Sequence, residues 1–337
     1  MAVASIPNQD PRIYVEDTDL DLPKVLDNRT RYLYFKKVAQ GGTCVISSCF
    51  DMHLRRTIAY KALRKELADD LAEQKRFVRE ARVTAMLQHP NTIPTYELGR
   101  DGSRHVYFTM KLVHGRTLRA ILDDCMKQNS HNVSHYSLQR LIYILSQTGH
   151  ALHYAHNHGV IHRDIKPENI LIGSYGEVLV LDWGMAKVWS KDPDKVHTET
   201  FSKFKRGNPI SADGILQTEL QNLHGTPPYV SPEQLEREPN LDHTTDVYSF
   251  GALLYEILSL TRMIPGDTVN QVLDFIRNNE IASPIEKTEL GLPEELVDLC
   301  MRCVDRDPEN RPQSLENIIT RLENWLNLKE TSEMAGN

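Results

Sequence analysis

Between Val160 and Ile172 the chain reads VIHRDIKPENILI. A histidine, an arginine, an aspartate, a lysine, a glutamate and an asparagine crowd together there, between apolar runs that belong in a core. Charges held so close to buried surface cost stability, so this stretch asks for a chemical use. Further on, ILIGSYGEVLVLD reads as a hairpin, two apolar strands joined by Gly173, Ser174, Tyr175 and Gly176. The hairpin puts Asp164 and Asn169 just before its first strand and Asp182 just after its second, so three oxygen-bearing side chains are expected at one rim. Carboxylate and amide oxygens gathered in that way suit a hard cation such as Mg²⁺, which keeps some of its waters and shares a substrate's phosphate oxygens.

The elements that must position these groups can be read from texture. At 337 residues the chain is long for one core, so two lobes are expected. From Tyr32 to about His114, short apolar runs bounded by glycines and charged turns predict a small antiparallel sheet. It is interrupted by LADDLAEQKRFVREARVTAMLQH, where Phe77, Ala81, Thr84 and Ala85 fall at helical spacing and predict one amphipathic helix. After Gly115, patterns such as LQRLIYILSQTGHALHYAH and VYSFGALLYEILSL predict a larger helical lobe. The opening residues 1–30 mix prolines with an acidic run and read as a mobile or docking arm, and residues 328–337 read as a frayed tail. A net charge of -7 argues against a nucleic-acid partner bound through phosphate neutralisation. Five cysteines without an apolar leader before them fit reduced thiols and a cytoplasmic location. No apolar run reaches the roughly 20 residues that cross a bilayer.

HRDIKPEN followed by DWG across a hairpin resembles the catalytic loop and metal-binding motif of the protein kinases, and the resemblance runs in order over residues 32 to 326. Within that family the chain is similar to the bacterial, eukaryotic-like serine/threonine kinases. The resemblance implies an α+β, two-lobed fold: a β-rich N-lobe with one main helix over residues 31–114 and a helical C-lobe over 115–327, with an activation segment at 182–233 that carries an insertion. It implies transfer of the γ-phosphoryl group of ATP to Ser or Thr hydroxyls of protein substrates, including a second copy of the chain, with Mg²⁺ or Mn²⁺ as the ion. Two alternatives are a kinase-like scaffold and a small-molecule kinase.

Residue by residue, Asp164 matches the group that receives or orients the substrate hydroxyl proton, Lys166 the one that steadies the transferred phosphoryl, and Asn169 and Asp182 the metal ligands. Lys61 of IAYK matches the lysine on the α and β phosphates, and Glu80 of FVREAR the glutamate that clamps it. Ile46 and Ala59 match the upper wall of an adenine site and Leu171 the lower one; Met110 matches the gatekeeper, with Lys111 and Val113 in the hinge that meets the base edge. The phosphate loop VAQGGTCVI departs from the family pattern, since Ala39 and Cys44 stand where glycines are usual. Gly41 and Gly42 keep backbone freedom at the tip, and weaker ATP affinity or slower turnover is expected. His162 matches a packed element of the catalytic loop, and Asp246 of DVYSFG the carboxylate that accepts its backbone N–H groups. Glu233 of GTPPYVSPE and Arg311 of DPENRP match a buried ion pair.

Arg163 and Lys187 are read as receivers of a phosphate on the activation segment, with Thr218 as first choice of site ahead of Thr198, Thr200, Ser202 and Ser211. The Lys203, Lys205 and Arg206 cluster reads as a solvated charge run. Cys300 and Cys303 form a CxxC inside a helical run, and His153, His156, His158 and His162 lie close in sequence; both groups read as packing rather than as zinc ligands. Trp183 stands where phenylalanine is usual, and the small Thr84 is read as the residue that makes room for it. Thr84→Leu should therefore overpack the site and lower stability by about 1–3 kcal/mol. A thermal melt that leaves the midpoint unmoved rejects the exchange.

Overall fold

Strand-forming sequence starts at Tyr32 and builds β1 (Tyr32–Gln40), β2 (Cys44–Asp51), β3 (Arg56–Leu63), β4 (Thr95–Arg100) and β5 (Val106–Met110). In the computed structural model these strands form an antiparallel sheet in the order β1-β2-β3-β5-β4. The structure describes residues 30–128, 130, 136–189, 228–236, 238, 240–266 and 268–335. Side-chain alternation along β3 splits the sheet into two faces. Ala59 and Leu63 join Val106, Phe108 and Met110 under helix α1 (Leu71–Met86), which contributes Phe77 and Ala81. On the other face Ile58 packs with Tyr32, Cys49 and Tyr107.

Helix α1 begins later than its sequence pattern suggests because Asp70 caps it, its carboxylate accepting the N–H groups of Ala72 at 2.7 Å and Glu73 at 3.2 Å. The buried side of α1 carries Phe77, Glu80, Ala81, Val83 and Thr84, whereas Ala85, expected there, is exposed.

A three-stranded sheet, β6 (Gly115–Thr117), β8 (Ile170–Gly173) and β9 (Val178–Val180), contains the expected hairpin. Gly176 closes its turn at φ +88°, a conformation that favours glycine. The hairpin does not fold with the helical part, as a division at residue 114 implies. The described residues up to Leu118 form one compact unit with Ile170–Gly184, and Arg119–Asn169 forms the other with the described residues from Met185 on. Backbone pairing explains the assignment: β6 hydrogen-bonds to β8, the Val180 N–H donates to the Asn91 carbonyl at 2.8 Å, and the Asn91 side-chain amide donates to the Val178 carbonyl at 2.8 Å.

The second unit holds α2 (Leu118–Gln128), α3 (Leu138–Asn157), α4 (Thr244–Ser259), α5 (Val269–Asn278), α6 (Glu294–Cys303) and α7 (Leu315–Ala335), with the short ladder β7 (Val160–Ile161) to β10 (Lys187–Val188). Every residue of α4 is buried. A helix enclosed on all sides is the axis around which others pack, here α3 and α6, while α7 lies along α3. The stretch read as a frayed tail continues α7 as helix to Ala335. None of the described helices is long and apolar enough to cross a membrane. The opening arm and the insertion that holds Thr198, Thr200, Ser202, Lys203, Lys205, Arg206, Ser211 and Thr218 lie outside the described residues.

One buried ion pair joins distant parts of this unit. Arg311 meets Glu233 through two parallel bonds of 2.7 and 2.9 Å, and its remaining donors go to the carbonyls of Thr244, Asp305 and Arg306. Burial alone would raise the Glu233 carboxyl, but Arg311 outweighs it and holds the group below its ordinary range. A carboxylate depressed in the fold contributes stability above the unfolded value, near about 4, and that contribution drains away as pH falls through the folded value. Removing one partner of such a pair costs about 3–5 kcal/mol. Glu233→Gln should lower the urea midpoint at pH 7 accordingly and flatten the loss of stability on acidification. Equal midpoints for variant and parent at pH 7 contradict this.

Candidate active site

The first unit contributes a cation embedded in an apolar face. The β2–β3 register sets Ile46 beside Lys61 and the β3–β5 register sets Ala59 beside Met110, so these side chains share the α1 side of the sheet. Ile46, Leu112 and Leu181 pack against the cluster containing Ala59 and Met110, and Leu171 is buried on β8. An ammonium group there needs a counter-charge, and α1 supplies it, since Lys61 Nζ bonds to Glu80 Oε1. Burial works against the charged ammonium, but Glu80 and then Asp182 outweigh it, so Lys61 titrates above its ordinary value. The Glu80 carboxyl is pushed up by burial, with Asp182 adding to the shift against the pull of Lys61. Asp182 itself sits at φ +62°, a rare backbone state for a residue with a Cβ. Gly184 beside it is constrained by space, because a Cβ there would lie 3.2 Å from Asp182 Oδ1 and 3.9 Å from Glu80 Oε2.

The β1–β2 turn is held by the Gly41 N–H donating to the Cys44 carbonyl at 2.8 Å, and Arg64 donates to the Gly42 carbonyl at 3.2 Å. Neither Gly41 nor Gly42 has a positive φ, so the freedom expected of them is not used as a left-handed turn. Gly42 lies in open space, where a Cβ would meet nothing within 4 Å, so packing does not require a glycine there. Ala39 pairs with Ile46 and Cys44 with Leu63 as ordinary ladder positions. Burial pushes the Cys44 thiol up to about 11, which leaves it protonated and unreactive near neutrality. In the hinge, the Lys111 N–H donates to the Pro94 carbonyl at 3.0 Å and its ammonium lies 3.5 Å from Glu177. Val113 is half-buried two residues on.

The second unit contributes the loop. Lys166 Nζ spans both oxygens of Asp164 at 2.8 and 2.7 Å. The amide nitrogen of Asn169 donates to the Asp164 carbonyl at 2.8 Å and to its Oδ2 at 3.0 Å, which turns the amide oxygen of Asn169 away as an acceptor. That donor set fits a hard cation, and the carboxylate of Asp182 in the first unit is of the same kind.

The turn before Asp164 is fastened by a residue from α4. Asp246 accepts the His162 N–H through Oδ2 and the Arg163 N–H through Oδ1, each at 2.8 Å. His156 Nε2 lies 2.7 Å from the same Oδ2. Burial favours a protonated Asp246, but the His156 bond and the backbone donors overcome it and keep the carboxyl below its ordinary range. Arg163, at φ +65°, is buried and donates through Nε to the Met185 carbonyl at 2.7 Å. Lys187 sits in β10 opposite Ile161. Trp183 and Thr84 are both buried, and the Thr84 hydroxyl donates to the Glu80 carbonyl at 2.8 Å.

Three contributors were not foreseen from sequence. His156, the penultimate residue of α3, was set aside as one of a histidine group, and its position gave no clue to Asp246. Gln234 donates to the Arg163 carbonyl at 3.0 Å. Arg119 reaches Glu256 at 2.6 Å, and the Tyr229 hydroxyl bonds the other oxygen of Glu256. Cys300 and Cys303 are buried thiols in α6, the latter pushed up to about 12 by burial.

A β-sheet unit presenting a lysine–glutamate pair, with a helical unit presenting an Asp–Lys–Asn loop anchored on a central helix, defines the two-lobed protein kinase fold. Residues 32–322 match the family model described as protein kinase domain. The chain belongs to that family. It is similar to the serine/threonine-protein kinase PknD of Protochlamydia amoebophila, 33% identical over 300 residues, which cover 88% of this chain and 30% of that protein. It is also similar to PknD of Chlamydia caviae, 30% identical over 305 residues covering 88% of this chain and 31% of the relative. The chain thus spans under a third of the length of these curated relatives.

Lys61→Met should leave Glu80 buried beside Asp182 without its cation, lowering stability by about 3 kcal/mol and weakening ATP binding at least tenfold. Adding Glu80→Gln should recover most of the melting temperature and none of the nucleotide affinity. Recovery of both would show that Lys61 does not touch the nucleotide.

Proposed function

We propose that the chain transfers the γ-phosphoryl group of ATP to Ser or Thr hydroxyls of proteins, a second copy of itself included. The arrangement of Asp164, Lys166 and Asn169 on a turn fastened by Asp246 carries this reading. Ile46, Ala59, Met110 and Leu171 take the adenine, and the main chain of Lys111 and Val113 meets its edge. Lys61 holds the α and β phosphates, with Glu80 keeping its ammonium charged and aimed. Asn169 and Asp182 would hold Mg²⁺, or Mn²⁺ in its place, which supplies charge neutralisation at the phosphates when bound.

In the transfer, the substrate hydroxyl oxygen forms a bond to the γ-phosphorus as the bond from that phosphorus to the β,γ-bridging oxygen breaks, and ADP leaves. Asp164 orients the hydroxyl and receives its proton. Lys166, bonded to the same carboxylate, stabilises the charge on the phosphoryl oxygens, so positioning and electrostatics supply most of the rate. Lysine two residues after the aspartate supports a Ser/Thr acceptor. The buried Glu233–Arg311 anchor of the GTPPYVSPE segment supports a protein substrate over a small molecule. Five free cysteines are compatible with work in a reducing cytoplasm.

Incubation with labelled ATP and Mg²⁺ should place label on protein, and both Asp164→Asn and Lys61→Met should lose it by at least a hundredfold. Nucleotide binding without transfer by the parent chain would establish a scaffold instead, and label confined to metabolites a small-molecule kinase.

A further inference from the structure

The catalytic turn is fastened by Asp246, and Asp246 is itself met by a ring whose own support lies within the second unit. A carboxylate oxygen only accepts, so the 2.7 Å contact makes His156 Nε2 the donor. One hydrogen bond fixes a point of a ring and leaves its plane free to pivot. The plane is set by a second histidine. His243, the residue before α4, meets the ring of His156 edge-on, with centroids 5.7 Å apart and planes at 73°. Trp189, just beyond β10, then lies against His243, with centroids 4.8 Å apart and planes at 40°. Three rings therefore run from the end of β10 to the Asp246 carboxylate.

His243 is a costly residue at this place. It is buried, and its Nε2 donates to the Gln313 carbonyl at 2.8 Å. Its Nδ1 lies 4.0 Å from the Asp242 carboxylate, beyond hydrogen bonding, and meets no hydrogen-bond partner among the described residues. An enclosed nitrogen without a partner costs stability, so packing alone would favour an apolar side chain. A flat ring tied at one corner to the segment before α7 offers what leucine lacks, a fixed plane for its neighbour.

Trp189 is attached a second time through its backbone. Its N–H donates to the Gly159 carbonyl at 2.6 Å. Gly159 has φ +72°, and a Cβ there would lie 2.6 Å from the Trp189 carbonyl oxygen, so glycine permits an approach that other residues would block. From Gly159 the chain passes through β7 into His162, and the β7–β10 ladder pairs Val160 with Val188 and Ile161 with Lys187. Trp189 and Met185 also pack against Ile161 and Leu241. The same residue thus reaches the catalytic turn by its main chain and the anchor of that turn by its ring.

We propose that Trp189 and His243 are positioning residues for phosphoryl transfer, their stacked rings holding His156 against Asp246 and so steadying the backbone that carries Asp164. The part played in transfer rests on the kinase reading above, whereas the ring stack does not. Because the stack touches none of the residues assigned to ATP, its loss slows the chemical step and leaves nucleotide binding alone.

Hydrogen exchange at the His162 and Arg163 amides, both donors to Asp246, reads this support whether or not the chain transfers phosphate. In the full chain, Trp189→Ala should speed exchange at these two amides about tenfold or more, with amides inside α4 as slow as in the parent. Trp189→Phe, which keeps a ring, should restore most of the protection. His243→Gln keeps a donor for the Gln313 carbonyl without a ring and should match Trp189→Ala, and the double variant should exchange no faster than either single one. With labelled ATP and a protein acceptor, Trp189→Ala should lower kcat about tenfold while KM for ATP stays within about twofold, and Trp189→Phe should recover the loss. Unchanged exchange at the two amides overturns the proposal. So does faster exchange spread evenly over α3 and α4, which would mark general loosening, or faster exchange at the turn with the kcat of the parent. A parent chain that transfers nothing refutes the kinase reading instead, and the exchange result then decides the ring stack by itself.

Discussion

A carboxylate taken fully out of water must be met on every side, and the Asp246 carboxylate is met by the very groups the catalytic turn needs fixed. Its two oxygens accept the backbone N–H groups of His162 and Arg163, and His156 completes the set. The turn is unfavourable without that support, since Arg163 is held at positive φ. Because Asp246 lies on α4, where every residue is buried, the support cannot drift. Rigidity thus passes from a buried helix to a backbone turn, and from the turn to Asp164, whose carboxylate is then held by Lys166 and Asn169. The charges within HRDIKPEN lie near a core because they are fastened to it.

The first unit solves a different problem, that of keeping a charged lysine on an apolar face. Glu80 and Asp182 both favour the ammonium form of Lys61, yet Asp182 also raises the Glu80 carboxyl, so the two acids strain against each other around one cation. An excess of negative charge near Gly184 is a poor place for phosphates alone and a good one for phosphates that bring a divalent ion. Since Glu80 rides on α1, the ion pair ties that helix to Lys61 of β3.

Sequence disclosed the two-lobed architecture, and left open how single elements attach to it. HRDIKPEN, DWG, IAYK and FVREAR are legible because each combines charge with apolar flanks in a fixed order, and their order along the chain limits the folds that can use them. The hairpin was legible too, as two apolar runs around a glycine turn, but its allegiance was not. Only the backbone bonds to Asn91 and β6 attach it to the first unit, and backbone bonds leave no mark on residue type. Ala85 was misjudged because a small apolar residue costs little on either side of a helix, whereas Glu80 is buried by its partner rather than by its own preference. His156 was missed for the same reason: its role is defined by a residue ninety positions away. The glycines of the phosphate loop were read through their torsional freedom, and neither takes a positive φ.

The buried charges of α4 share a logic that extends beyond Asp246. Glu256, further along the same helix, is fully enclosed and is met by Arg119 of α2 at 2.6 Å and by the hydroxyl of Tyr229. Tyr229 belongs to GTPPYVSPE, and Ser249 of α4 donates to its carbonyl at 2.8 Å. Glu233 in the same segment is held by Arg311 and by Thr245 of α4 at 2.9 Å. One helix therefore fastens the catalytic turn at its start and the segment proposed to meet protein substrates along its length. A buried ionic contact is a poor way to gain stability when an apolar pair of equal volume is available. It is a good way to fix which groups meet, since a mispaired charge in that environment is too costly to persist. The price of three enclosed carboxylates is thus exchanged for a single allowed arrangement of turn and segment, which is what a reaction governed by positioning requires.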